Sequence, residues 1–260
     1  MIIFGFDCGI VNLGISIVDF NYEYNSQLLA YNSRLLDILS NKYDYITLMA
    51  NINKYIDLID ELVSNVVKIK YINCVQLACS VEELSVVERI NRLKAILCSL
   101  DQIAKPDKVL IEYQMGPNDD MRTISSSITM YYTSGGSSTN TYIMSNTKAK
   151  PLANEICYKL DLYSIRYTHV NRHIDCILVP PTLKNAYTLA PNGEYSNFII
   201  KYTNKTANKK HAVFNFKYFA SLFDRPLYNC LLQHRDTSLY DIADSFMMIY
   251  SYLIKSKYIK

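Results

Sequence analysis

Four acidic side chains stand in apolar surroundings where a carboxylate needs a reason: Asp7, Glu112, Asp241 and Asp244. Asp7 closes the apolar run Met1–Phe6, and Glu112 closes the run Lys108-Val109-Leu110-Ile111. Asp241 and Asp244 are three residues apart and share a face if their segment is helical. The residues beyond them (Phe246, Met247, Ile249, Tyr250, Leu253) are apolar and turn that face inward. Each acid alone has a structural explanation. An Asp before Gly is a turn residue. Glu112 would pair with a Lys or Arg. Asp241 and Asp244 would lie in the first turn of their helix, where the backbone dipole favours negative charge. Four together are harder to explain, because carboxylates gathered at one core edge repel one another unless a cation neutralises them. Oxygen donors without His or Cys suit Mg²⁺ or Mn²⁺. Two such ions about 3.5–4 Å apart activate water and stabilise the leaving oxygen in phosphodiester hydrolysis, so the protein need supply no nucleophile.

The elements that must position these acids are legible in part. Met1–Phe6, the turn residues Asp7, Gly9 and Gly14, and Leu13–Phe20 read as a strand, a turn and a returning strand. Gln27–Tyr31 reads as a third strand, 51–67 has the apolar spacing of a helix, and Tyr71–Cys79 reads as a further strand. Val86, Ile90, Leu93, Ile96, Leu97 and Leu100 recur at helical spacing, with Glu82, Glu83 and Glu88 at the N-terminal side and Pro106 as the stop. Lys108–Glu112 and Cys176–Val179 are short strands; 208–223 and 239–254 are the last two helices. Thr133–Thr141 is a Ser/Thr/Gly-rich loop. Early strands followed by alternating helices and strands predict an α/β domain with a mixed sheet.

Charge carries a second signal. The formal net charge is only +3, too small to indicate nucleic acid by itself. Between Tyr195 and Phe223, however, no acid occurs while Lys201, Lys205, Lys209, Lys210 and Lys217 do. Asn208-Lys209-Lys210-His211 opens an apolar helix whose backbone N–H groups would add to phosphate binding; a solvated basic helix face is the plainer alternative. His169, His173, His211 and His234 show no metal-ligand spacing, and the seven Cys are dispersed without a Cys-x-x-Cys pair, which fits a reducing, intracellular setting. No stretch reaches about 18 uninterrupted apolar residues, so no membrane span is expected. The abundance of Tyr (23), Asn, Ile and Lys is that of AT-rich codons and says little about function.

The motifs resemble a family. Phe4-Gly5-Phe6-Asp7-Cys8-Gly9 with Asn12-Leu13-Gly14 resembles the first hairpin of RuvC-type nucleases. Leu110-Ile111-Glu112-Tyr113-Gln114 is similar to the Ile-Glu-x-Gln element of the mitochondrial and poxvirus branches, and Asp241-Ile242-Ala243-Asp244-Ser245 to the closing Asp-x-x-Asp-Ser helix. The resemblance covers roughly 1–20, 86–115 and 175–257. It implies a ribonuclease H-like mixed β-sheet flanked by helices, in one domain over 1–260 with insertions at about 33–80 and 133–170. It further implies a homodimeric Holliday-junction resolvase of the poxvirus and large DNA virus group, with Asp7, Glu112, Asp241 and Asp244 binding Mg²⁺ (Mn²⁺ substituting), two ions per site. Lys209 or Lys210 would lie near the scissile phosphate. Pro180-Pro181-Thr182-Leu183-Lys184-Asn185 resembles the resolvase loop after the fifth strand, with Lys184 touching phosphate. The implied partner is branched DNA, with no small-molecule cofactor; if viral, the protein would act in host cytoplasm or virion. Two alternatives keep the fold: a silent nucleic-acid-binding protein, and a nuclease for flaps or RNA–DNA hybrids. A sugar-kinase or actin-type ATP site is disfavoured, since it needs a second Gly-rich loop and Gly193 is the only Gly after position 136.

Overall fold

A computed structural model describes residues 1–27, 30, 66–80, 84–113, 119–134, 158–159, 174–186 and 207–258. Strands β1 (Ile2–Cys8), β2 (Asn12–Phe20), β3 (Val67–Gln76), β4 (Lys108–Glu112), β5 (Tyr158–Lys159) and β6 (Asp175–Val179) form one sheet in the order β5-β3-β2-β1-β4-β6. The pairs β1–β2, β2–β3 and β3–β5 are antiparallel, while β1–β4 and β4–β6 are parallel. An antiparallel meander continued by parallel strands beside β1 is the ribonuclease H-like topology.

Alternation along the strands assigns the two faces. Phe4, Phe6 and Cys8 of β1, Leu13, Ile15 and Ile17 of β2, and Val109 and Ile111 of β4 enter one core with α1 (Val86–Ile103) and α2 (Asp119–Thr133). Ile3, Val18, Phe20 and Leu110 enter the other, against α3 (Ala207–Phe223), α4 (Arg225–Leu232) and α5 (Asp236–Lys255). Asp7 and Glu112 follow the parity of Ile3 and Leu110 and so belong to the α5 face. Helix α5 is apolar almost all round because it lies between the sheet and α3, where Phe246 meets Phe216 and Phe219 at ring-centroid distances of 4.9 and 4.8 Å.

Several boundaries differ from the sequence reading. The third strand is Val67–Gln76, starting four residues before Tyr71, whereas 22–27, up to and including Gln27 of the expected strand, is helical. Because 67–76 is a strand inside the sheet, the insertion expected at about 33–80 does not extend through it. The helix expected over 51–67 lies outside the described residues except at its end, where Val66 is helical and Val67 is already strand. Helix α5 begins at Asp236, not Leu239. Asp236 is therefore the acid of the first turn, and the dipole explanation for Asp241 and Asp244 lapses.

Helices α2 and α4 carry no sequence expectation. In α2 the hydroxyls of Thr123, Ser127, Thr129 and Thr133 each return to the carbonyl four residues back. A Ser/Thr-rich stretch thus forms a helix around the apolar stripe Ile124, Ile128 and Tyr132. Helix α4 is short, N-capped by the Asp224 carboxylate, which accepts from the Leu227 N–H at 3.0 Å.

Candidate active site

One row across the sheet sets the site. Asp7 is paired with Gly14, and Gly14 in turn with Cys74, while the β1–β4 register runs up to Phe6 opposite Ile111, which brings Glu112 level with Asp7. Helix α5 crosses this row. It approaches closely because Gly5 and Gly14 have no side chains. A Cβ on Gly5 would lie 2.7 Å from the Ser245 carbonyl oxygen, and one on Gly14 would overlap the Asp241 carbonyl. Ser16 and Ser245 complete the contact with a buried hydroxyl pair at 2.7 Å. The glycines and serines therefore fix where Asp241 and Asp244 stand relative to Asp7.

Three acids meet at one point. The Lys184 ammonium lies 2.6 Å from Asp244 Oδ2, 3.0 Å from Glu112 Oε1 and 3.4 Å from Asp7 Oδ1. Lys184 reaches them from a 3₁₀ turn, Leu183–Asn185, that follows Pro180-Pro181 and is anchored by the buried Leu183. Asp244 is 1% exposed, and its Oδ1 has no hydrogen-bond partner. Burial raises the carboxyls of both Asp7 and Asp244. For Asp7 the hydrogen bond shared with Glu112 raises it further, so that it sits well above the ordinary range. Burial alone would lower Lys184, but Asp7, Asp244 and Glu112 outweigh it and hold the ammonium charged.

The second acid of the helix pair belongs to a different corner. Asp241 Oδ1 is 3.5 Å from Lys209 Nζ, and its Oδ2 accepts from the Cys74 thiol at 3.8 Å. Burial, reinforced by Asp241, pushes that thiol up to about 12, so it remains protonated and is no nucleophile. Lys209, half exposed on α3, also lies over the Tyr240 ring at 5.5 Å from its centroid. Lys210 is on the same helix turn with intermediate exposure. Lys217 lies farther along α3, where it pairs with Asp236 at 2.7 Å. Lys201 and Lys205 fall outside the described residues, as do His169, His173 and Gln114. His211 is a buried residue of α3, lowered by burial.

All four sequence-chosen acids thus reach one edge of the sheet, and the cation that neutralises three of them is a lysine. The resemblance places Lys184 on phosphate; in the structure its ammonium lies on the acids and is the cation that pairs with Glu112. Gly14 and Cys74 are neighbours of Asp241 that the sequence does not single out; both lie in segments it reads as strand or turn, but the register that pairs them is not legible from one chain.

Among the described residues, no group of three His, Cys, Asp or Glu side chains is arranged to hold a metal ion as it stands. The donors themselves suit a hard divalent cation: all are carboxylates, and one buried oxygen of Asp244 lacks a partner. What fills the meeting point is the Lys184 ammonium. No helix among the described residues is long and apolar enough to cross a membrane.

No family model matches the sequence, and a search of curated proteins finds no match. Among solved structures, the chain is similar to the fowlpox virus resolvase in complex with its substrate Holliday junction DNA (16% identity, 98% of this chain and 99% of that chain, TM-score 0.44). It is likewise similar to Thermus thermophilus RuvC (10% identity, 98% and 97%, TM-score 0.45). A second structure of the fowlpox virus Holliday junction resolvase gives 15% identity over 98% and 99%, with a TM-score of 0.42.

Proposed function

We propose that this chain is a divalent-metal-dependent endodeoxyribonuclease that resolves four-way DNA junctions by paired symmetric cleavage during processing of viral recombination or replication intermediates. The observation that carries the proposal is the convergence of Asp7, Glu112 and Asp244, from β1, β4 and α5, within 3.4 Å of a single nitrogen. Acids from three distant stretches of chain share one buried point, which their mutual repulsion opposes unless a cation neutralises them.

Asp7, Glu112 and Asp244 would hold Mg²⁺ or Mn²⁺, with Asp241 beside them for a second ion. Such ions supply the activated water and the stabilisation of the leaving oxygen. The chain's own groups bind and orient the DNA strand. Lys209, exposed and tethered by Asp241 and Tyr240, offers a positive charge to a phosphate at the mouth of the site. The protonated Cys74 thiol holds one oxygen of Asp241 in place. Lys210, on the same turn of α3 as Lys209, adds to this positive charge, while Lys217 is engaged by Asp236.

Junction specificity rests on the three sequence motifs taken in order, and the homodimer on symmetry, since two coordinated nicks need two sites. The described cysteines are all free thiols, which supports a reducing, intracellular setting, host cytoplasm or virion if the source is viral. The test is cleavage of a labelled four-way junction in Mg²⁺, Mn²⁺ and EDTA, with linear duplex, flap and RNA–DNA hybrid as competitors. Paired symmetric nicks on the junction that vanish in EDTA are expected; cleavage confined to another substrate would discard the junction assignment. A second reading, a junction-binding protein without activity, is favoured by Lys184 standing among the acids, and tight binding without cleavage in either metal would select it.

A further inference from the structure

We infer that Lys184 is a built-in counter-cation, holding the acidic cluster together in the metal-free protein and withdrawing when a divalent ion enters; the inference rests on the metal-site reading above. The ammonium occupies the one place where three of the acids converge, at 2.6, 3.0 and 3.4 Å from their oxygens. Mg²⁺ would need the same oxygens at about 2.0–2.1 Å. Ion and ammonium are therefore rivals for one position and cannot share it.

Charge also favours exchange. Three carboxyl groups face a single ammonium, and the buried Oδ1 of Asp244 finds no partner in the arrangement with lysine. The lysine neutralises the cluster incompletely, enough to let the acids assemble and not enough to satisfy them. Its withdrawal needs no refolding: Leu183 anchors the 3₁₀ turn in the core, and the flexible four-carbon stem of Lys184 can swing from a fixed backbone. The displaced ammonium then stands at the rim, available to a phosphate. Metal affinity is discounted by the fraction of molecules in which the lysine is in place.

Two measurements test this. First, the wild-type protein is acetylated with an amine-reactive ester in EDTA and in saturating Mn²⁺, and modification at each lysine is read by mass spectrometry. Lys184 labelling is expected to rise several-fold with Mn²⁺, while the exposed Lys255 stays constant; unchanged or reduced Lys184 labelling overturns the inference. Second, Mn²⁺ binding is followed by electron paramagnetic resonance in wild type, Lys184→Ala and the stem-preserving Lys184→Met. Binding at least about tenfold tighter in either variant is expected if the lysine-free fraction is a tenth or less. Equal or weaker binding in a folded variant overturns the inference while leaving the metal site standing. Absence of Mn²⁺ binding in wild type and variants alike overturns the metal-site reading itself.

Discussion

The two faces of the sheet are built from the same strands and do opposite things. On the α1/α2 face, β1, β2 and β4 present Phe4, Phe6, Leu13, Ile15, Val109 and Ile111, and Tyr132 from α2 meets the rings of Phe4 and Phe6 at 6.0 and 6.2 Å. On the α5 face the intervening positions of the same strands are Gly5, Asp7, Gly14, Ser16 and Glu112. There the helix sits on bare backbone, and carboxylates are buried at its edge. On the α1/α2 face these strands present only apolar side chains to the core; on the α5 face they bring acids together at the cost of stability. A strand's period of two lets one segment serve both purposes without compromise at any single residue.

Substitutions sharpen or break this contrast. Asp7→Asn and Asp244→Asn, which change charge but little volume, should lower junction cleavage by about 10³-fold or more, since each is assigned to the metal. Junction binding, read by gel shift in Ca²⁺ or EDTA, should survive; unaltered cleavage by both variants would remove the α5 face from the chemistry. On the opposite face Phe6→Ala should cost about 3–5 kcal/mol of stability in chemical denaturation. Any protein that remains folded should cleave with near-normal kcat, and a selective kcat loss would show that the faces are not separable.

Gly14→Ala tests the junction between the faces. Its Cβ would overlap the Asp241 carbonyl, so α5 must shift away from β2. We expect cleavage to fall by about a hundredfold, because about 1 Å of misplacement at a site has an effect of this size. Wild-type activity in a folded Gly14→Ala protein would mean that α5 placement is not critical.

A smaller effect has the opposite sign. In EDTA, Asp7→Asn should be more stable than wild type by about 1–2 kcal/mol, because a buried carboxylate beside Glu112 and Asp244 is relieved. A thermal melt showing Asp7→Asn less stable than wild type in EDTA would deny that the cluster is strained. Smallest is Ser85→Ala, which removes the α1 capping box with Glu88 and should lower stability by about 1 kcal/mol without touching cleavage.

How much of this was legible in the sequence depended on whether local pattern and tertiary role agreed. Strand β4 was read at its full extent because Val-Leu-Ile between Lys108 and Glu112 is short, apolar and bounded, and a buried parallel strand looks like that. The first hairpin was equally plain. Strand β3 was misplaced because its N-terminal half, Val-Lys-Ile-Lys, alternates as a half-exposed strand and abuts a stretch with helical spacing. Helix α2 was hidden by hydroxyl side chains that bond to their own backbone. At the site, the four acids were visible as carboxylates without local partners. Their division was not: Asp244 goes inward to Lys184 and Asp241 outward to Lys209, a difference set by which strand underlies each turn of α5. Nor could the spacing of Lys184 reveal that it enters the acidic cluster, since a 3₁₀ turn after two prolines has no periodicity to read.

The central claim is that the buried meeting point of Asp7, Glu112 and Asp244 is a divalent-cation site. The most direct test is a crystal of the protein grown or soaked with Mn²⁺ and measured for anomalous scattering. An anomalous peak at about 2.2 Å from oxygens of all three carboxylates, with the Lys184 ammonium moved off them, is the predicted result. No peak at saturating Mn²⁺, with Lys184 still bound to all three acids, would contradict the account.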